Sequence, residues 1–240
     1  MKQLTILHLY PKDMNIYGDN GNLQVLTKRI EEHGYTPVII PHNQDSPAPD
    51  IAAVDIILGG GGQDSGQSRI TKNLLAIGPS LKNAIDNGMP TLVICGLYQL
   101  FGESFTTHTG EVLKGIGAFK LKTIGGNERL VGNIAIESDV FGTVVGYENH
   151  SGQTFLDSSM TPLGLVTLGA GNNTKDGHEG VLYNNAIGSY MHGPLLPKNP
   201  VIADYLISTA AKRRYGSFTG NTIDDALALR AKESTLSRPR

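Results

Sequence analysis

Short apolar runs alternate with helical patterns through the first 95 residues, and this order constrains the fold more than any other feature. Strand-like runs lie at 4–10, 36–41, 54–62 and 91–95. Between them, residues 19–34 and 70–87 carry apolar side chains at helical spacing, and Pro79 predicts a break or kink in the second helix. Parallel strands need crossover connections, which are usually helices. The pattern therefore predicts an α/β fold with a mostly parallel central sheet flanked by helices.

The second half has a different pattern, in which short strand-like pieces are separated by Gly and Asn turns. These pieces lie at 119–138, 142–148, 154–156, 163–168 and 181–191. They predict antiparallel additions to the sheet. Amphipathic patterns at 200–214 and 223–233 predict two further helices. No linker rich in Pro, Gly or Ser divides the chain, so we predict one domain over residues 1–215 and a helical extension over 216–240.

Composition excludes several classes of protein. The 240 residues carry a formal net charge of -2, which implies no basic face for nucleic acid. No run reaches the roughly 20 apolar residues of a membrane span, and the N-terminus lacks the pattern of a signal peptide. We therefore expect a cytoplasmic protein without membrane insertion. The single cysteine excludes an internal disulfide and a Cys-rich zinc site, and we predict no metal.

That cysteine, Cys95, follows the apolar run TLVI and precedes Gly96. Ligands of open α/β sheets sit beyond the carboxyl ends of the strands, and the preceding strand ends in the glycine run 59–62. A cysteine at a sharp strand-to-helix turn exposes its sulfur, as the serine of a nucleophile elbow does. Because a lone cysteine is more often a core residue, the interpretation as a nucleophile needs a histidine base.

Two of the seven histidines follow strand-like runs and are candidates for that base. His192 ends an apolar run and is followed by Gly193 and Pro194. We predict that it lies at the same rim as Cys95 and acts as the base, with His150 as the second candidate. His8 is expected to be structural, and the others are expected mostly at the surface: His33, His42, His108 and His178.

These residues together resemble class I glutamine amidotransferases. The resemblance rests on the elbow at Cys95 with Gln99 four residues later, the glycine run one strand earlier, and the late strand that ends in histidine. GYENHSG, at 146–152, resembles the Tyr-Glu-x-His-x-Gly segment of the cobyric-acid-synthase type. The segments LYPKDMNIYGDNGN, NERLVGN and SYMHGPLLPKNP are similar to the glutaminase subunits of lipid II isoglutaminyl synthase. The resemblance covers residues 4–212.

The resemblance implies a class I glutamine amidotransferase-like fold and hydrolysis of L-glutamine through a cysteinyl thioester. It implies Cys95 as the nucleophile and His192 as the base. It also implies that Arg129 grips the substrate α-carboxylate, a task that suits a guanidinium fork. The implied oxyanion hole consists of backbone amides at Gly96 and at Gly60 or Gly61. The other implied pocket residues are Gln99 and three that either line the pocket or only shape the strand end, Glu148, Asn149 and His150.

The resemblance also implies a partner. Such subunits supply ammonia to a MurT-like, Mur-ligase-like subunit, which amidates the D-glutamate α-carboxyl of lipid II in the peptidoglycan stem peptide. This chain has no Walker-type phosphate loop, so we expect no cofactor in it, and we expect ATP and any metal on the partner subunit. Pro194 stands where many class I enzymes carry the glutamate that orients the histidine. We therefore expect that acid to come from the partner.

Three alternatives remain open on the residues alone. The chain is a glutaminase of a corrinoid-type amidotransferase, a non-catalytic scaffold of the same fold, or a thiol hydrolase or redox sensor with a similar elbow. Release of glutamate from glutamine separates the scaffold from the enzymes. Normal activity after removal of the Arg129 guanidinium would favour the thiol hydrolase or redox sensor.

Overall fold

The computed structural model describes residues 2–238, and its first half alternates strands and helices as expected. The elements there are β1 (Gln3–Leu9), α1 (Asn20–Glu32), β2 (Thr36–His42), β3 (Ile56–Gly59), α2 (Asp64–Asp86), β4 (Thr91–Ile94) and α3 (Gly96–Phe101). The second half contains β5 (Ser104–Thr106), β6 (Val112–Lys114), β7 (Leu121–Ser138), β8 (Gly142–Leu156), β9 (Gly164–Leu168), β10 (His178–Glu179), β11 (Val181–Tyr183), β12 (Ala186–Ser189), α4 (Pro200–Tyr215) and α5 (Ala226–Leu236). Short 3₁₀ helices occur at Ile51–Ala53 and Leu196–Lys198.

The central sheet has six strands in the order β11-β12-β4-β3-β1-β2. Its neighbouring strands are parallel, except that β11 runs antiparallel to β12. β3, β4 and β12 are short and buried along their whole length, as is typical of parallel strands that are covered on both faces. The predicted α/β fold with a mostly parallel central sheet is therefore confirmed.

The antiparallel strands of the second half mainly build a second sheet. Its order is β10-β9-β7-β5-β6, and β8 pairs with β7. Only β11 adds an antiparallel strand to the central sheet, whereas β12 enters that sheet parallel to β4. β8 is continuous over Gly142–Leu156, where two separate pieces were expected, because β7 offers it a partner along most of this length.

Helix α2 is longer than predicted and runs through Pro79 without a break. A proline inside a helix removes a backbone hydrogen bond and costs about 3 kcal/mol or more. Pro79 is exposed, whereas Leu74, Ile77 and Leu81 on the other face are buried. Burial of each such side chain contributes about 1.5–3 kcal/mol. Packing of the apolar face therefore outweighs the lost hydrogen bond.

Ion pairs connect the C-terminal segment to helix α1. The Arg29 side chain is 8% exposed and lies 2.6 Å from a carboxylate oxygen of Asp204 in α4 and of Asp225 just before α5. Helix α5 itself has no buried residue. The division into a domain over 1–215 and an extension over 216–240 stays a prediction. No helix within residues 2–238 combines the length and hydropathy needed to cross a bilayer.

Two histidines that were expected at the surface are buried. His33 Nε2 lies 3.0 Å from Asp204 Oδ1, and His42 Nε2 lies 2.9 Å from Asn73 Oδ1. The surface prediction was wrong for both, because an oxygen from a distant element pairs with Nε2 of each buried ring. His8 is buried within β1, as expected.

Candidate active site

Four neighbouring strands of the central sheet end at one rim. In the order β12, β4, β3 and β1, their carboxyl ends lead to His192, Cys95, the glycine run 59–62 and the loop 10–19. Parallel pairing places Ser189 opposite Ile94 and Gly59 opposite Val93, so the segments that follow start side by side. Ligands of α/β folds bind at such a rim.

Cys95 lies at a sharp turn between β4 and α3. Its φ of 51° and ψ of -105° lie outside the regions that non-glycine residues normally adopt. Its amide donates to Ser189 O at 2.8 Å, and its carbonyl accepts from Gln99 N at 3.0 Å. The strand-to-helix elbow predicted here is present, and backbone strain of this kind concentrates at functional sites.

The glycine run passes directly beside both Cys95 and His192. A methyl group on Gly61 would lie 2.8 Å from His192 Cε1 and 2.9 Å from Cys95 Cβ. Both distances are shorter than the 3.5–4.0 Å or so at which carbon atoms rest. Only glycine therefore allows the backbone to approach this closely, and the two predicted catalytic residues flank the same backbone position.

His192 is held by its backbone and by its ring. Its amide donates to Tyr147 O at 2.7 Å, and its carbonyl accepts from Tyr147 N at 3.1 Å, which fixes it to β8. The Tyr17 ring packs on the imidazole with 4.4 Å between ring centroids. Burial alone would lower the pKa of His192, but the neighbouring Cys95 sulfur and Asp19 carboxylate outweigh it and raise the pKa. Nε2 is buried without a hydrogen-bond partner among residues 2–238.

An acid that the sequence did not reveal lies next to this histidine. Asp19 is 4% exposed, and its Oδ1 lies 3.4 Å from His192 Nδ1. Its Oδ2 accepts a hydrogen bond from Gly61 N at 2.8 Å. We expected an acid from a partner at this position, and the chain itself places one there. Its only sequence signal is its place before α1, which is typical of a helix N-cap.

The backbone amides of the predicted oxyanion hole have different surroundings. The Gly61 amide is occupied by Asp19, and a methyl group on Gly60 would meet Met14 O at 2.4 Å, so Gly60 packs against the loop 10–19. A methyl group on Gly96 would lie only 3.1 Å from Gly62 N, so these two glycines are close together. Gly96 begins α3, where amides have no acceptor within the helix. The oxyanion role of Gly60, Gly61 and Gly96 stays a prediction, and Gly62 is a further candidate.

A cavity of about 360 Å³ opens beside Cys95. Its lining includes Gln99, Arg129, Asn149 and His150 from the predicted set. Arg129 is exposed at its mouth, where Nε donates to Asn149 Oδ1 and Nη2 donates to the Tyr17 hydroxyl, both at 2.6 Å. Two larger cavities, of about 670 and 690 Å³, contain neither Cys95 nor His192.

Gln99 is a wall of this cavity, and its side chain already has partners. Its Oε1 accepts from Gln67 Nε2 at 2.9 Å, and its Nε2 donates to the Tyr190 hydroxyl at 3.0 Å. Tyr190 in turn lies 2.7 Å from Thr154 Oγ1. These two hydrogen bonds hold the Gln99 amide in place, so Gln99 shapes the pocket.

The three residues of β8 differ in position. Asn149 lines the cavity and contacts Arg129. Glu148 is fully buried outside that lining and accepts hydrogen bonds from Ala170 N and Gly171 N at 2.9 Å, so its predicted contact with substrate is not supported. His150 stacks on Tyr190 with 3.6 Å between centroids, and burial lowers its pKa to about 3, which keeps the ring neutral.

Comparison with known proteins adds independent findings. The family described as the CobB/CobQ-like glutamine amidotransferase domain matches residues 5–200. The chain is similar to subunit GatD of lipid II isoglutaminyl synthase (glutamine-hydrolyzing) from Staphylococcus aureus strain N315, with 41% identity over 99% of this chain and 97% of that protein. The GatD subunit from Streptococcus pneumoniae strain R6 is 42% identical over 89% of this chain and 83% of that protein.

Solved structures agree on the fold. A glutamine amidotransferase from Thermotoga maritima superposes with a TM-score of 0.53 at 12% identity, covering 97% of this chain and 93% of that one. At this identity the likeness concerns the fold alone. The class I glutamine amidotransferase-like fold expected from the sequence is confirmed.

Proposed function

The chain belongs to the CobB/CobQ-like glutamine amidotransferase family, and from this premise we propose that it hydrolyses L-glutamine through a thioester on Cys95. The observation that carries the proposal is the strained elbow at Cys95, with His192 and Cys95 both packed against Gly61. A thiol needs a base within reach to act as a nucleophile, and this rim brings the two together.

The chemistry proceeds in two halves. His192 Nε2 takes the Sγ proton of Cys95, and the thiolate attacks the side-chain amide carbon of glutamine. As the tetrahedral intermediate collapses, the C–N bond breaks and the imidazolium returns its proton to nitrogen, which leaves as ammonia. A water molecule, deprotonated by His192, then attacks the thioester, and glutamate leaves with Cys95 restored.

Substrate binding relies on the cavity beside Cys95. The substrate α-carboxylate pairs with Arg129 at the cavity mouth and replaces the Tyr17 hydroxyl on Nη2. A carboxylate forms a stronger hydrogen bond with a guanidinium than a neutral hydroxyl does. The amide end of glutamine then points toward Cys95, and the developing oxyanion lies near the backbone amides of Gly62 and Gly96.

The ammonia passes to a MurT-like, Mur-ligase-like subunit that amidates the D-glutamate α-carboxyl of lipid II, with ATP and any metal bound by that subunit. Support comes from the two relatives named as subunits of lipid II isoglutaminyl synthase, of which this chain covers 97% and 83%. The reaction consumes free glutamine and ATP, so we place it in the cytoplasm. Within residues 2–238, no group of three or more His, Cys, Asp and Glu side chains is arranged to hold a metal ion.

The test is steady-state release of glutamate from glutamine by the full chain together with its partner subunit. The wild-type chain should release glutamate, and Cys95→Ser should lose this activity because a neutral hydroxyl is a far weaker nucleophile than a thiolate. A complex that forms normally but releases no glutamate would show a scaffold. Amidation of a corrinoid carboxylate in place of lipid II would overturn the acceptor while leaving the glutaminase assignment intact.

A further inference from the structure

The Asp19 carboxylate divides its two oxygens between the base and the glycine run. Oδ1 lies 3.4 Å from His192 Nδ1, and Oδ2 accepts from Gly61 N at 2.8 Å. The side chain is 4% exposed, and 173 positions separate it from His192 in the sequence. A buried carboxylate is costly unless it has partners, and both of its partners here belong to the candidate site.

We propose that Asp19 is a positioning residue that holds His192 with Nδ1 toward itself and Nε2 toward Cys95, and that it does so while fixing the backbone of Gly61. The proposal rests on the glutaminase function proposed above. It assigns the third member of the catalytic group to this chain, where a partner residue was expected.

The tautomer of His192 gives the first argument. A carboxylate can only accept a hydrogen bond from Nδ1–H, which leaves the lone pair on Nε2 free to take the Cys95 proton. The same carboxylate stabilises the imidazolium that then forms. The contact of 3.4 Å is long for a hydrogen bond, and contacts of this kind commonly tighten only when substrate is bound.

The position of Asp19 before α1 gives the second argument. An aspartate at a helix N-cap normally accepts from backbone amides of the first turn, a contact worth about 1 kcal/mol. Asp19 makes no such side-chain bond and turns toward the strand ends. Gly60 makes room for it, since a methyl group there would lie 2.7 Å from Asp19 Cβ. Asp19 thus makes no capping bond to α1, and position 60 has no side chain, which leaves space for Asp19.

Pro194 gives the third argument. It occupies the place after His192 where many class I enzymes carry their acid, and it packs against the first turn of α1. A methyl group on Gly21 would lie 2.4 Å from Pro194 Cγ, so the two elements touch closely. This contact brings the start of α1, and Asp19 with it, to the histidine.

The test separates the effect of the Asp19 charge on His192 from the hydrogen bond that Asp19 accepts from Gly61 N. Asp19→Asn keeps an oxygen that accepts from Gly61 N, but its amide group donates toward His192 Nδ1. That reverses the tautomer and leaves Nε2 protonated. We expect kcat for glutamate release to fall roughly 100- to 10,000-fold with little change in KM, and Asp19→Glu to restore part of the activity. Asp13→Asn is the matched control, since it removes a carboxylate of the same loop that pairs with exposed Arg69.

Titration of His192 supplies a readout that a merely structural role would not move. The groups that face this imidazole are Asp19 from the start of α1, Cys95 from the elbow, Tyr17 from the loop and His150 from β8. Asp19 raises the pKa of His192, so the imidazolium of Asp19→Asn should lose its proton at lower pH in NMR titrations of the full chain. Asp13→Asn should leave that titration unchanged.

Each outcome decides the proposal. If the wild-type chain releases glutamate and Asp19→Asn does so equally well, the proposal is overturned while the glutaminase function stands. If the wild-type chain together with its partner subunit releases none, the function fails, and the NMR titration still decides whether Asp19 controls His192. If Asp19→Asn does not fold, nitrogen shifts of wild-type His192 decide: a proton on Nδ1 supports the proposal, and a proton on Nε2 alone overturns it.

Discussion

Gly61→Ala is the substitution that tests the geometry of the site most directly. The added methyl carbon would lie 2.8 Å from His192 Cε1 and 2.9 Å from Cys95 Cβ. Because carbon atoms rest about 3.5–4.0 Å apart, relief of both contacts needs a combined displacement on the order of 1 Å. Gly61 does not have a positive φ, so alanine adds no backbone strain and the effect is purely one of space.

The displacement acts on the two groups that exchange a proton in the proposed mechanism. A misplacement of about 1 Å at a reacting centre costs roughly 100-fold in rate, which corresponds to about 2.7 kcal/mol in the activation free energy. We therefore expect kcat to fall about 100-fold. KM should change little, because Arg129 at the cavity mouth is untouched. Overpacking should also lower the free energy of unfolding by about 1–3 kcal/mol.

The assay is steady-state glutamate release over a range of glutamine concentrations, with thermal unfolding measured on the same samples. Gly66→Ala is the matched control, because its methyl group would meet only Asp13 O at 3.2 Å and Arg69 Nη2 at 3.7 Å. It should stay within a few-fold of wild type, since alanine is also the better helix former. A folded Gly61→Ala variant with wild-type kcat would refute the close approach of Cys95 and His192 to this backbone.

Two further predictions concern Arg129 and Glu148. Arg129→Ala should lower kcat/KM by roughly 30- to 1,000-fold, since one charge-assisted bidentate contact is lost, and Arg129→Lys should recover only part of the activity. Unchanged kinetics of Arg129→Ala would reject the carboxylate contact. Glu148→Gln should lower the free energy of unfolding by about 1–3 kcal/mol, because the Glu148 carboxylate accepts hydrogen bonds from the backbone amides of Ala170 and Gly171. Its kcat and KM should stay unchanged. A raised KM at normal stability would show that Glu148 contacts the substrate.

Local pattern was sufficient to find the core of the site. Cys95 follows the strand-like run TLVI and His192 follows another apolar run, and the rule that ligands bind beyond the carboxyl ends of parallel strands places both at one rim. The first-half strands and helices were equally predictable, because their apolar spacing and turns are local signals. The parallel placement of β12 beside β4, which makes the two residues neighbours, is a non-local pairing that no local pattern specifies.

The parts that could not be predicted depend on contacts between distant segments. Asp19 looks like an ordinary helix cap, and only the fold shows its carboxylate turned toward His192. Gly60 and Gly61 are the same residue type, yet Gly60 packs on the loop 10–19 and Gly61 packs against both Cys95 and His192. Glu148 is charged and stands beside pocket residues, but β8 directs it to backbone amides of 170–171. Orientation of this kind is decided by packing, which residue type alone does not reveal.

The central claim is that Cys95 forms the covalent bond to the glutamine-derived acyl group. The most direct measurement is intact-protein mass spectrometry after treatment with a glutamine-analogue diazo-ketone, with residual glutamate release measured in parallel. Cys95 is the only cysteine, so a thiol adduct has a single possible position. The account predicts one adduct per chain on Cys95, loss of glutamate release in proportion to labelling, and no adduct in Cys95→Ser. Glutamate release that persists in fully labelled protein or in Cys95→Ser would contradict it.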